Sequence, residues 1–235
     1  MKNPPVIAET LLRAMLPPAS VETMTGDLLE EYRESRLPAV GTLRANGWYL
    51  RQVAGVFLHT YGWFAAPLIL VPVVHDLFNT FRDVTGAAYF NGAPVQPAWP
   101  PVAGAAVLLA AAMYGTLRTG RRAGGVVAAF GLFVVTWLFM AVWWMATLYP
   151  FAQVQQHNPY WIQAWQWSIH RPNQGSFFGF NPDTPGESFF AWMFWDNVGG
   201  LIMLGFAMAA LSTVCGIVGS TMTWTFKLRR RQDAA

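Results

Sequence analysis

His59 stands alone among apolar and aromatic residues, in the stretch Val53 to Val74. Ionisable side chains at membrane depth are costly and are retained most often for a function. A neutral imidazole there could ligate a haem iron or a chlorophyll magnesium, or relay protons; equally, it could hydrogen-bond a neighbouring helix near the inner interface. Haem ligation by two histidines needs a second one at matching depth, and the other apolar stretches have none. His75 lies too far along the same helix to share a metal with His59, since the intervening residues rise roughly 24 Å at ~1.5 Å each. A pigment needs only one histidine, so His59 is the candidate cofactor-binding residue; whether a pigment or a lipid is bound stays open.

The remaining titratable groups are sparse. His75 and Asp76, with Asp196, could form an external polar site, either an interfacial hydrogen-bond cluster or a catalytic group. His157 and His170 flank a tryptophan-rich segment, but two histidines without a carboxylate or a third ligand make a poor metal site. A membrane enzyme would need His75, Asp76, His157, His170 and Asp196 to converge. HExxH, GxSxG, Walker A and dinucleotide glycine motifs are missing from the sequence, so hydrolase and nucleotide chemistry lack an anchor. Cys215 is the only cysteine, which rules out an intrachain disulfide, a CxxC redox pair and a thiolate cluster. No catalytic residue and no metal site are expected.

What must position these residues is read from the uncharged run Gly124 to Tyr149, which follows directly on Arg118, Arg121 and Arg122. As a helix it would reach roughly 39 Å, enough to cross a hydrocarbon core of about 30 Å. Lysine and arginine beside span ends prefer the cytoplasm, so its start is expected inside and Tyr149 outside. Composition agrees: 54% of the 235 residues are hydrophobic and 11% charged, where a soluble domain would carry about 25% charged residues. The net charge of +3 is spread over short basic segments beside apolar runs. It speaks for orientation in the membrane, with no nucleic-acid partner expected.

The expected fold is an all-α integral membrane protein with four transmembrane helices, at about 53–76, 101–117, 124–149 and 197–226. A cytoplasmic helical module, residues 1–52, precedes them, and a basic cytoplasmic tail, residues 227–235, follows. In the first module, Val6 to Leu16 has helical periodicity and stops at Pro17 and Pro18; Ser20 offers an N-cap for a second helix through Arg33, ended by Leu37 and Pro38. A third segment, Leu43 to Gln52, carries Arg44, Arg51, Trp48 and Tyr49, the mixture expected where a helix enters the headgroup region. The acidic run Asp27 to Glu34 reads as a solvated helix face. The start of the chain does not read as a cleaved signal, because Glu9 and Arg13 interrupt its apolar residues.

Leu16-Pro17-Pro18, then Gly26-Asp27-Leu28-Leu29-Glu30-Glu31-Tyr32-Arg33, then Trp48-Tyr49-Leu50-Arg51-Gln52 resemble the permease prefix domain found before the first span of some bacterial ABC-transporter permeases of the macrolide-exporter type. The resemblance covers about residues 11–52. It implies a bacterial inner-membrane protein with a cytoplasmic N-terminus. The rest of the chain departs from that family, having neither a second set of spans nor a large extracytoplasmic domain, so transport activity is not carried over.

In the first span, Pro67 and Pro72 are expected to kink the helix. Leu77 to Pro100 reads as a turn-rich external connection. The second span is rich in small residues: Ala106 with Ala110, and Ala111 with Gly115, sit four apart and would let another backbone approach. The segment 150–190 is an aromatic external loop in which Asn158 and Pro159 start a flat interfacial helix with Trp161, Trp165 and Ile169 on one face. Thr184, Pro185 and Glu187 have capping-box spacing for the last helix. That helix is too long for one crossing, so Trp192, Trp195 and Asp196 are expected in the interface and a bend near Gly199-Gly200. Gly205 with Ala209, and Gly216 with Ser220, give it a packing face.

With both termini inside, only Arg82 and Arg171 of the 15 Lys and Arg residues fall outside, as the positive-inside rule asks. No internal repeat is visible, which weighs against an inverted-repeat transporter. Trp161, Trp165, Ile169, Trp192 and Trp195 read either as an ordinary aromatic belt or as a docking face for another membrane protein or a flat apolar cofactor. The function expected is that of a non-catalytic accessory subunit, with membrane lipids and other membrane-protein subunits as partners. Photosynthetic reaction-centre, light-harvesting or respiratory assemblies are the complexes in view. The alternative is a small transporter or permease-associated regulator, and a membrane enzyme comes third.

Overall fold

The computed structural model describes residues 3–84, 99–157, 159, 161–162, 165–166 and 188–232. Among them the regular structure is entirely helical: α1 (Val6–Met15), α2 (Pro18–Glu30), a π-helical turn (Glu31–Arg36), α3 (Leu37–Val84), α4 (Trp99–Thr119), α5 (Arg122–Gln155) and α6 (Phe189–Gln232). Four helices are long and apolar enough to cross a membrane, within Pro18–Val74, Val102–Thr119, Arg122–Gln155 and Phe189–Arg229. The chain forms two compact units, one of Met1–Leu68, Ala103–Val135 and Ala209–Ala235, the other of Ile69–Val102 and Thr136–Met208. The first 52 residues therefore share a unit with parts of α3 to α6.

In the first unit, α1 buries Ala8, Leu12 and Met15, positions that fall on one face at helical spacing. Leu16 is extended (φ −89°, ψ 143°), as a residue before proline prefers, and the helix stops. Pro18 then occupies the first position of α2, where a missing N–H costs nothing. Ser20, expected as the N-cap, sits instead inside the first turn, its hydroxyl donating to the Pro17 carbonyl at 3.3 Å.

The second helix does not end at Leu37 and Pro38. It widens into the π-helical turn, where the Leu37 N–H bonds to the Tyr32 carbonyl five residues back, and continues past Pro38. A π turn just before a proline absorbs the hydrogen bond that the ring cannot donate. The interruption comes at Gly41, with φ 77° and ψ 168°, a conformation that only glycine adopts without strain. From there Leu43 to Gln52 and the first apolar stretch form one helix to Val84, running through Pro67 and Pro72 and beyond Leu77. The expected connection starting at Leu77 therefore begins later.

The apolar helices of the first unit approach one another through small residues. A Cβ on Gly125 would collide with the Thr116 hydroxyl, the Ala112 carbonyl and the side chain of Ser220, and one on Gly115 would stand 2.6 Å from the Gly124 carbonyl oxygen. Leu108, Ala111, Ala112, Ala128, Ala129 and Leu132 are completely buried there. Hydroxyl side chains in these helices return their protons to their own backbones: Thr116 to Ala112, Thr119 to Gly115 and Thr223 to Gly219, at 2.7–2.9 Å. Such back-bonding lets a polar side chain sit in an apolar helix without a partner outside it.

In the second unit, the Trp137 indole N–H donates to the Leu201 carbonyl at 3.1 Å. Leu148, Ala152 and Met193 are buried together, with Phe189, Trp192 and Phe194 packed against them. This cluster explains why α5 runs past Tyr149 and through Pro150 to Gln155, where the sequence suggests a loop. Keeping Ala152 against Met193 requires one more helical turn, and packing outweighs the one backbone bond that proline removes. The α6 helix starts at Ser188, whose hydroxyl accepts the Ala191 N–H at 3.2 Å, as an N-cap does. The capping box of Thr184, Pro185 and Glu187 lies outside the described residues. The helical run is uninterrupted through Gly199 and Gly200, and its 44 residues would reach roughly 66 Å, well beyond one crossing.

Candidate functional site

His59 is exposed on α3, while Phe57, Thr60, Tyr61 and Phe64 turn inward. His75 and Asp76 lie on the same helix and Asp196 on α6; His170 and Ile169 fall outside the described residues. His157 is exposed just after α5, its Nδ1 lying 3.0 Å from the Gln153 carbonyl oxygen. Among the described residues, no group of three or more His, Cys, Asp or Glu is close enough to hold a metal ion.

What does converge is aromatic. Residues 159, 161–162 and 165–166 are helical, and the ring of Trp165 meets Phe189 edge-on at 5.9 Å, which in turn lies 5.7 Å from Trp192. Tyr149 meets Phe190 at 5.9 Å and Phe194 meets Trp195 at 5.3 Å, both edge-on. Trp161 and Trp192 are half-buried, whereas Tyr149, Phe190 and Trp195 are 63%, 41% and 44% exposed. Phe189, Trp192 and Phe194 pack against the buried cluster of Leu148, Ala152 and Met193, while Tyr149, Phe190 and Trp195 stay exposed.

The small residues singled out from sequence divide. Gly216 is buried, and a Cβ there would come 3.1 Å from the Val126 backbone; Ser220 is buried with its hydroxyl bonded to Ile217 at 3.0 Å. Gly205 sits beneath the Trp137 indole, where a Cβ would meet the ring nitrogen at 2.9 Å. Ala209 is half-buried. Ala106 and Ala110 are exposed; the face that α4 buries carries Leu108, Ala111, Ala112 and Gly115.

Two further constellations are built in the first unit. Tyr32 is completely buried: its hydroxyl donates to Asn46 Oδ1 at 2.6 Å, and its ring stands edge-on to Tyr49 at 5.9 Å. Nearby, the Arg33 guanidinium donates to Asn3 Oδ1 at 2.6 Å, and Arg36 lies over the Trp48 ring at 5.0 Å. Higher along α3, Tyr61, Trp63 and Phe64 gather around Tyr114 of α4, whose hydroxyl accepts from Arg118 at 3.2 Å, and Phe57 packs on Tyr61. Phe57, Tyr61 and Phe64 recur at helical spacing, which is the signal that marks this face.

Comparison with protein-family models, with curated proteins and with solved structures gives no match. The described residues offer aromatic edges, close-approach glycines and exposed guanidinium groups. Among the described residues the ion pairs are Glu9 with Arg13 and Glu31 with Arg36, at 2.7 and 2.9 Å. Both are partly exposed and local to one stretch of helix, a setting where such pairs contribute little.

Proposed function

We propose that this chain is a multi-pass protein of the bacterial inner membrane, with both termini cytoplasmic, that acts as a non-catalytic accessory subunit stabilising a larger membrane complex. The complexes in view are energy-transducing ones, photosynthetic or respiratory. The observation that carries the reading is the set of exposed rings Tyr149, Phe190 and Trp195 bordering the buried cluster of Leu148, Ala152 and Met193, against which Phe189, Trp192 and Phe194 pack. Aromatic surface held rigid from below suits a partner, because little side-chain entropy is lost on docking. Anchoring in the headgroup region uses the same residue types, and the two roles are separable by experiment. Replacing Phe190 and Trp195 with Leu keeps apolar area for anchoring but removes the rings. The variant should insert normally and migrate on native gels free of the high-mass complex; unchanged co-migration would refute docking through this face.

A second reading, a permease-associated regulator or small transporter, draws on one observation. Tyr32, Trp48 and Tyr49, which carry the resemblance to the permease prefix domain, are joined by ring contacts in the first unit. This reading predicts that replacing His59 or Asp196 abolishes transport of a solute, with complex assembly unaffected.

A further inference from the structure

In the first unit, the turn between α4 and α5 meets the last part of α6. Gly120 ends α4 with φ +65°, its N–H donating to the Thr116 carbonyl at 2.9 Å, the left-handed cap that glycine accepts freely. Gly120 faces Lys227, whose Nζ lies 3.5 Å from where a Cβ on Gly120 would stand. Gly120, Trp224, Lys227 and Leu228 line a pocket of about 200 Å³. The three α6 residues recur at i, i+3 and i+4 and so share a face. The Arg122 guanidinium stands 5.6 Å from the centre of the Trp224 ring, so a second cation lies against Trp224, next to the four lining residues.

Among the described residues, no carboxylate pairs with the cations beside this pocket. Arg121 is exposed and donates to the Arg13 carbonyl at 3.4 Å, so α1 touches the turn, but the carboxylate of that helix, Glu9, is committed to the Arg13 side chain at 2.7 Å. Neither α4 nor α5 contains an Asp or Glu, and α6 has none after Asp196. Among the described residues, Arg121, Arg122, Lys227 and Arg229 make no ion pair. A basic pocket with an indole wall at the end of apolar helices matches the charge and amphipathic character of a phospholipid headgroup.

We propose that this pocket binds a phosphate oxyanion, supplied either by the headgroup of an anionic phospholipid or by free phosphate. Lys227 provides a point charge, Arg122 provides planar donors, and Trp224 provides the apolar wall against which the glycerol backbone of a lipid would lie. The lipid source rests on the membrane reading above; the oxyanion chemistry does not.

The test uses the full chain in mild detergent, with native mass spectrometry following retention of phosphatidylglycerol and of phosphatidylcholine, and with inorganic phosphate as competitor. The wild type should hold phosphatidylglycerol in preference to phosphatidylcholine. The Lys227→Ala/Arg122→Ala variant should hold it about 25-fold less well, at about five-fold for each cation removed, while Lys227→Arg retains binding and Arg44→Ala, on α3, has no effect. Displacement by millimolar inorganic phosphate, with no lipid preference, would support the oxyanion site and assign its source to free phosphate. Equal retention of both lipids without protection by phosphate, or an equal loss in Arg44→Ala, would overturn the proposal. Gel filtration checks that the double variant folds, and Lys227→Gln provides a milder second variant. Alkaline extraction of native membranes reports on the membrane reading separately: release would remove the lipid source and leave the phosphate titration decisive.

Discussion

The Tyr32 hydroxyl donates to Asn46 Oδ1 at 2.6 Å, tying the π-helical turn to α3. Tyr32 is completely buried, so removing only the hydroxyl leaves the Asn46 carbonyl without its donor. Tyr32→Phe should cost about 1 kcal/mol and Tyr32→Ala about 3–5 kcal/mol, because the second change also opens a cavity. Thermal unfolding of the two variants and of Asn46→Ala in detergent, arranged as a double-mutant cycle, reports the coupling. Independent, additive effects of Tyr32→Phe and Asn46→Ala would contradict a direct bond.

Gly41 separates conformational strain from crowding. A Cβ there would touch nothing within 4 Å, yet its φ of +77° lies where side chains are strained; Gly26 in α2 has equally open surroundings and a helical backbone. Gly41→Ala should therefore destabilise by roughly 1–3 kcal/mol. Gly26→Ala should be neutral or stabilising by up to about 1 kcal/mol. Equal melting temperatures for the two variants would refute the break assigned to Gly41.

Close approach makes the opposite demand at Gly125. Adding a methyl group forces it against Thr116, Ala112 and Ser220, and overpacking of this kind costs about 1–3 kcal/mol. Gly125→Ala should lower the yield of monodisperse protein and its thermal stability, and Thr116→Ala should recover part of the loss by removing the nearest atom. Failure of the pair to show any compensation would argue that these helices do not meet there.

Much of this was legible in the sequence, for identifiable reasons. The run Gly124 to Tyr149 has no charge to place, and a long uncharged run has one economical conformation in an apolar medium, so α5 was readable within a turn at its start. Its end was not, because helix continuation through Pro150 is decided by Ala152 meeting Met193, a contact between residues far apart in the chain. The stop at Gly41 was missed in favour of Leu37 and Pro38 because a π turn, invisible to residue propensity, accommodates the proline. Small-residue spacing singled out Gly216 and Ser220, which are buried, and in α4 it offered two pairs, of which Ala111 with Gly115 are buried while Ala106 and Ala110 are exposed. The partners of Tyr32 and Arg33 were unreadable because Asn46 and Asn3 are polar residues with no periodic signature.

Orientation is open to direct labelling. Cys215 is buried, with its thiol 3.6 Å from the Ala105 carbonyl oxygen, so Cys215→Ala should give a folded background without cysteine. In it, Glu30→Cys and Gln153→Cys place thiols at two exposed positions. A membrane-impermeant maleimide added to intact spheroplasts should label Gln153→Cys and reach Glu30→Cys only after permeabilisation. The reverse pattern would invert the topology and remove the cytoplasmic assignment of both termini.

The measurement closest to the central claim is purification of the protein from its native membrane in mild detergent, through a tag at the C-terminus, with quantitative mass spectrometry of what accompanies it. The accessory reading predicts a fixed, equimolar set of membrane subunits that is lost when Phe190 and Trp195 are replaced by leucine. Recovery of the chain alone, or with an ATPase as its one stoichiometric companion, would contradict it and favour the permease-associated reading.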